Sequence, residues 1–154
     1  MTKNKKRHFG YKNHINVDAK HKLIRKYKVT DAATHDSQMI DDLLDKNNTN
    51  KDVFADSAYR SVAISERLKS QGYRDRIHRK GYRNHPLDER GKAANTNKSK
   101  VRARVEHVFG RQAQFACHLG TTLLRCIGIA RAQATIGLKN LVYNFDRYTH
   151  LATT

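Results

Sequence analysis

Apolar residues recur along this chain in two distinct rhythms. Tyr11, Ile15 and Val17 alternate with Lys12, His14 and Asn16, and a similar stretch runs from Leu23 to Val29, with Asp18 to Lys22 between them. A period of two puts successive side chains on opposite faces of a strand, so the two runs predict a hairpin. After Thr34, His35, Asp36 and Ser37, which offer capping side chains, the spacing of Met39, Ile40, Leu43 and Leu44 predicts a short helix ending at the polar run from Lys46 to Lys51. Val53, Phe54 and Ala55 form a brief apolar run ending at Asp56, the pattern of a buried strand whose last residue emerges at a sheet edge. A second helix carries Val62, Ile64 and Leu68 and stops near Gly72, which suits a left-handed C-cap, before a short strand around Arg76 and Ile77.

From Arg74 to Arg104 the chain holds eleven Lys or Arg against three acids, and Gly81, Pro86 and Gly91 interrupt any regular element. The stretch 74–104 is therefore expected to be an exposed basic loop. A helical pattern resumes at Val101, with Val101, Val105, Val108 and Phe109 on one face and Arg102 and Glu106 stacked on another. The last helix is expected from about Ile129 to Tyr148, with Ala130, Ala134, Leu138, Leu141 and Phe145 as its core stripe. The order of these elements is a mixed α/β layout with no internal repeat, and 154 residues are the length of a single domain.

Charge changes the picture more than composition does. A formal net charge of +17 is self-repulsive unless a polyanion answers it, so nucleic acid is the first partner to consider. Residues 1–9 open the sequence as a basic arm able to touch phosphate. The hydrophobic fraction of 38% is low but recurs in runs, which indicates a folded chain with basic loops. Cys117 and Cys126, with no signal-like leader, fit free thiols in a reducing cytoplasm. Together with His107 and His118 they lack zinc-ligand spacing. No apolar stretch approaches the ~20 residues of a membrane span.

Two acids attract attention as chemistry. Asp56 ends a buried strand, and Glu106, 50 residues later, lies on the polar side of an amphipathic helix. Phosphodiester cleavage with two divalent ions needs carboxylates that hold the metals about 4 Å apart, and hard oxygen ligands favour Mg2+ or Mn2+. The same residues have plainer uses: an Asp at a strand end is commonly a cap, and Arg102 with Glu106 is commonly a helix-surface ion pair. Tyr59 is suited equally to stacking on a base and to packing on the second helix. His78, His85 and His107 are candidate phosphate donors with no base partner visible in the sequence.

The segments Phe54 to Ser61 (FADSAYRS) and Val101 to Gly110 (VRARVEHVFG) resemble two signatures of bacterial insertion-sequence transposases of the DDE class, most closely the fifth insertion-sequence family. Gly10 to His14, Val29 to Ser37, and Ile129 to Asn144 are also similar, so the resemblance spans nearly the whole chain. It implies that Asp56 is the second acid of the catalytic triad and Glu106 the third, holding two Mg2+ or Mn2+ ions. It further implies that Arg102, with Arg104, Lys100, Lys98, Arg60 and Tyr59, faces DNA. The implied fold is ribonuclease-H-like, a mixed sheet flanked by helices, here expected without its first strand and without the first catalytic Asp carried on it. Asp18, Asp31 and Asp36 are the acids that could take that place, although the resemblance puts them in other elements. Ser99 and Ala113 depart from the Tyr and Lys that the family's signature tends to carry.

The implied reaction is metal-dependent cleavage of double-stranded DNA at the element's ends, followed by transfer of the freed strand to target DNA. The implied setting is the bacterial cytoplasm, in association with the nucleoid, and the implied protein partners are an upstream transposase polypeptide or further copies of the chain. Two other readings stay open: an inactive DNA-binding fragment that regulates the full enzyme, and a ribonuclease-H-like nuclease without strand transfer.

Overall fold

The computed structural model describes residues 2–3, 6–7, 10–47, 50–83, 85–118, 124 and 126–153, with side chains described at all of these except 2, 3, 6, 7, 117 and 118. The chain divides into two compact units, one formed by residues 1–44 and 105–154, the other by residues 45–104. Its described strands form three two-stranded sheets, and its helices make the whole a mixed α/β protein. Within the expected basic arm, β1 (Thr2–Lys3) pairs antiparallel with β2 (Lys6–Arg7); the rest of residues 1–9 lies outside the described residues.

In the first unit β3 (Tyr11–Val17) and β4 (Ile24–Asp31) form the predicted antiparallel hairpin, with an irregularity between Asn16 and Val17. Asp18 builds its turn. The Asp18 carbonyl accepts the Lys22 N–H at 2.9 Å, its carboxylate accepts the His21 N–H at 2.6 Å, and Lys22 takes a left-handed φ of 62°. The strand alternation then sorts the two faces. The polar face carries Lys12, His14, Asn16 and Lys26, and it is met by α1 (Ile40–Leu43) and the 3-10 turn before it. Lys12 bonds the Thr34 carbonyl at 2.8 Å and Asp36 at 2.9 Å, while Asn16 donates to the Leu43 carbonyl at 2.6 Å. His14 is buried and bonds Thr30 at 2.8 Å; burial, helped by Lys12 and opposed by Asp36, holds its imidazole below the usual value.

The apolar face of the hairpin receives α4 (Ile129–Ala152). Ile24, Val108 and Tyr143 form one buried cluster with Ile15 and Val17 against it; Val29, Ala132 and Ile136 form another, with Tyr11, Leu124 and the free thiol Cys126. Polar side chains bind this interface as firmly as apolar ones. The Asn144 amide accepts the Ile24 N–H and donates to the Ile24 carbonyl, each at 2.9 Å, and Tyr143 donates to the Lys22 carbonyl at 2.8 Å. Buried Asn140 accepts from Asn13 at 2.8 Å and from Gln112 at 2.9 Å. At Gly137 an added Cβ would stand 2.6 Å from the Tyr27 hydroxyl, so the bare backbone there allows the close approach of helix to strand.

The inward face of α4 is thus Ala132, Ile136, Asn140 and Tyr143, which corrects the expected stripe. Ala130, Ala134, Leu138, Leu141 and Phe145 point outward, Leu138 at 63% and Phe145 at 62% exposure. Hydrogen bonding to the hairpin fixes the rotation of the helix, and a reading of apolar spacing alone does not register that.

The second unit is a β-α-β arrangement. β5 (Asp52–Val53) and β6 (Arg74–Asp75) pair in parallel, and the ladder continues through Arg76 N–H to Val53 O and His78 N–H to Ala55 O. Between them α2 (Val62–Ser70) is capped by Ser61, whose hydroxyl accepts the Ile64 N–H at 3.1 Å, and it ends at Gly72 with the expected left-handed φ of 77°. Ile64, Leu68, Tyr73 and Ile77 are its buried apolar residues.

Residues 74–104 are not one basic loop. β6 takes the beginning, and α3 runs from Glu89 to His118, starting twelve residues before the expected Val101. Asp88 starts it, its carbonyl accepting the Lys92 N–H at 2.9 Å and its carboxylate the Gly91 N–H at 2.8 Å. Gly91, which reads as a breaker, lies in the first turn beneath that cap, where a Cβ would come within 2.7 Å of the Asp88 carboxylate. Ala93, Ala94 and the long Lys and Arg side chains that follow are good helix formers, so the charge of the segment lies on a helix.

Replacing Asn140 with Ala removes the acceptor for both Asn13 and Gln112 and should destabilise the chain by about 1–3 kcal/mol. A urea midpoint unchanged from wild type would show that these bonds do not hold α4 in place.

Candidate active site and nucleic-acid interface

The parallel ladder of the second unit carries the chain to Asp56, where extended backbone gives way to the 3-10 turn Ser57–Tyr59. Asp56 caps that turn through Oδ1, which accepts the Ser57 N–H at 2.6 Å, and its Oδ2 pairs with the Arg102 guanidinium at 3.0 Å. The side chain stays 54% exposed. Partial burial pushes its carboxyl up, but the Ser57 N–H, the charge and hydrogen bond of Arg102, and the charge of His78 together outweigh burial and hold it below the usual carboxylate value. Asp56 is therefore both a cap, as the plainer reading has it, and an exposed, ionised oxygen donor.

Arg102 comes to this carboxylate from α3, and His78 keeps that helix against the strand end. The imidazole is buried, with Nδ1 3.0 Å from the Ala55 carbonyl and Nε2 3.1 Å from the Asn95 carbonyl and 2.9 Å from the Ser99 hydroxyl. Asn95 adds two bonds, accepting the Arg79 N–H and donating to the Arg79 carbonyl, each at 2.9 Å. In the sequence His78 is one of three histidines near basic residues, and nothing there separates a bridging role from a phosphate-donor role. Its position directly after buried Ile77, on a strand that pairs with the one ending at Asp56, is the signal that places it.

The other nominated residues distribute unevenly. Lys98 donates to the Ile77 carbonyl at 2.9 Å; burial and the charges of Arg60, Arg79 and Arg76 lower its pKa, with Asp75 opposing. Arg60 pairs with Asp75 at 3.3 Å. Asp56, Arg102, Lys98 and Arg60 are thus gathered around the ends of β5 and β6 and the facing turns of α3. Lys100 is exposed and Arg104 half-buried on α3, and Tyr59 is half-buried in the turn that Asp56 caps. Glu106 is exposed on α3, in the other compact unit.

The three remaining aspartates have structural work of their own. Asp18 builds the hairpin turn, Asp31 accepts from the Ala33 and Thr34 N–H groups, each at 2.9 Å, and Asp36 pairs with Lys12. His85 lies in a bridge to Tyr82, and burial with the charges of Lys22, Arg147 and Arg111 lowers the pKa of His107. Among the described residues no three His, Cys, Asp or Glu side chains converge into a ready metal cage. No described helix is long and apolar enough to cross a membrane. A cavity of about 550 Å³ in the first unit is lined by His107, Arg111, Asp146, Arg147 and His150 among others; His107 borders it, while Asp56, Glu106, Arg102, Arg104, Lys100, Lys98, Arg60 and Tyr59 do not.

Comparison with known proteins bears directly on this arrangement. The family described as Transposase DDE domain matches residues 1–145, across both compact units. A relative, the transposase for insertion sequence element IS1106 of Neisseria meningitidis serogroup B, is 36% identical over 101 residues, 66% of this chain and 35% of that protein. The match thus spans about a third of the length of the curated relative. No solved structure matches the chain.

Because the folded Asp56 carboxyl lies below its ordinary value, near ~3.9 when unfolded, its contribution to stability is present above that value and is lost as pH falls through the folded one. In Arg102→Gln the Asp56 titration followed by carboxyl NMR should move up towards the ordinary range. An unmoved titration would mean that Arg102 is not what holds the carboxylate ionised.

Proposed function

This chain belongs to the transposase DDE-domain family, and from that premise we propose that it is catalytic machinery of an insertion-sequence transposase. It binds double-stranded DNA, cleaves it at the element's ends with Mg2+ or Mn2+, and transfers the freed strand to target DNA. The observation that carries this reading is the 3.0 Å ion pair between Asp56 and Arg102, which joins the two segments bearing the resemblance. The fold it implies is ribonuclease-H-like.

Asp56 fits a hard cation, since it offers exposed, ionised carboxylate oxygen at the end of a rigid strand. Asp56 and Glu106 would hold the metal, which when bound polarises the scissile phosphodiester and favours the hydroxide form of the attacking water. The chain's own cations do the positioning. Arg102 is a fork-shaped donor that can exchange its carboxylate partner for a phosphate, and Lys98, Lys100, Arg104 and Arg60 extend the cationic surface along the backbone of the nucleic acid. Burial first, and then crowding of like charge, lowers the pKa of Lys98, and a phosphodiester placed there relieves the crowding. Tyr59 offers an aromatic face for a base. DNA at the element's ends and in the target, and an upstream transposase polypeptide, are the partners of this reading, in the nucleoid of a bacterial cytoplasm.

A second reading, a DNA-binding regulator without cleavage, is favoured by the Asp56–Arg102 pair itself, because the carboxylate already has a counter-charge. Nicking of plasmid DNA separates the two. We expect Mg2+- or Mn2+-dependent nicking that Glu106→Gln abolishes while leaving DNA affinity largely intact; salt-sensitive binding with no nicking would establish the regulator instead. Cleavage without joining of a 3′ end to target DNA would mark a nuclease.

Arg102→Ala should weaken DNA binding and reduce the slope of log affinity against log salt by about one. Equal loss of binding in Arg102→Ala and Glu106→Gln would count against a phosphate contact at Arg102.

A further inference from the structure

Turned away from the hairpin, α4 carries a second apolar face. Ala134, Leu138, Leu141, Phe145 and Tyr148 follow one another at intervals of four, three, four and three residues. That is the spacing of a coiled-coil seam, narrower than the stripe by which a helix lies on a globular core. Leu138 is 63% exposed, Leu141 50%, Phe145 62% and Tyr148 65%, and Val142 beside them is 52% exposed. Five such side chains leave on the order of 500 Å² of apolar surface, at the upper end of what a monomer shows. It is also more than half of the roughly 800 Å² that each partner brings to a standard interface.

Charge narrows the choice of occupant. The positions that flank the seam are Thr135, Gly137, Val142, Asn144, Thr149 and Leu151, none of them ionisable, on a chain whose formal net charge is +17. Two copies of so basic a protein repel one another almost anywhere else on their surfaces. An acidic partner would find no cation along the seam from Ala134 to Tyr148, Arg131 standing one turn before it. A second copy of the same seam meets it with matching knobs and holes and no like charge at the flanks, and the inward residues Ala132, Ile136, Asn140 and Tyr143 remain undisturbed.

We propose that α4 is a self-association surface, and that two copies of this chain pair seam to seam about a two-fold axis, with Leu138, Leu141 and Phe145 at the centre of the contact. Cationic repulsion makes the association stronger at high salt, opposite to the salt dependence of DNA binding.

Sedimentation velocity of the nucleic-acid-free full chain, over a concentration series at high salt, tests this. Wild type should dimerise, and Leu141→Lys or Phe145→Lys should each raise the dissociation constant by roughly 30-fold or more, as truncating a central contact does. Gln133→Lys adds the same charge at an exposed position of α4 off the seam and should leave the dimer intact. Circular dichroism checks that each variant stays folded; if a Lys variant unfolds, Leu138→Ala should still weaken the dimer about tenfold. A wild-type chain that remains monomeric at about 100 µM, where even a weak dimer is populated, would overturn the proposal and assign the face to a different polypeptide. So would seam and control variants of equal effect.

Discussion

The side-chain amide of Asn144 closes on both backbone groups of Ile24, and much of the first unit follows from that contact. Ile24 begins β4 just after the hairpin turn, where a strand pair is most easily frayed. Tyr143 and Arg147 bind the turn itself, through the Lys22 and His21 carbonyls at 2.8 Å each. These bonds have direction, so they fix how α4 is rotated about its own axis, which dispersion and apolar burial alone would leave loosely set. Once the rotation is fixed, Ala132 and Ile136 fall on Val29, and Gly137 falls beside the Tyr27 hydroxyl. Leu138, Leu141 and Phe145 are then left outside by geometry, despite being the more hydrophobic set.

The second unit works by a different constraint. Its parallel strands are short, and a parallel pair of this size has little stability of its own. Continuation of the ladder to Ala55 and His78 and the bridge from His78 to Asn95 and Ser99 tie strand ends and helix into one frame. Asp56 and Arg102 are each attached to that frame, so their pairing costs little side-chain entropy compared with a free surface pair. Ser99 occupies the position where the transposase signature tends to carry Tyr, and here its hydroxyl reaches the imidazole at 2.9 Å.

The hairpin was legible because its faces obey strict alternation, and Gly72 because only a residue free to take positive φ ends a helix in that way. The strand before Asp56 was legible only in part: its apolar run is short and bounded, but β5 covers Asp52–Val53 and the run Val53, Phe54 and Ala55 is half-buried instead of buried. The start of α3 was not. Pro86 and Gly91 read as interruptions, whereas Asp88 between them is the cap, and the helix that follows has scarcely any apolar face in its first three turns to reveal it. The inward face of α4 was hidden because Asn140 and Asn144 are bound through tertiary hydrogen bonds that no spacing rule contains. In the site, Asp56 and Arg102 were visible as blocks of residues, while the role of His78 depends on a backbone carbonyl from each of two elements.

Charge is partitioned along the sequence in a way that matches two kinds of surface. Residues 74–104 hold eleven Lys or Arg against three acids, while α4, nearly as long, holds Arg131, Lys139 and Arg147 against Asp146, and none of these lies within the seam from Ala134 to Tyr148 or at its flanks. Arg147 is bound to the hairpin turn, and Asp146 is paired with Arg111 at 3.1 Å. A cation left beside an apolar seam must be desolvated when the seam is covered, so this division of charge suits a segment proposed for phosphate contact and a face proposed for apolar contact.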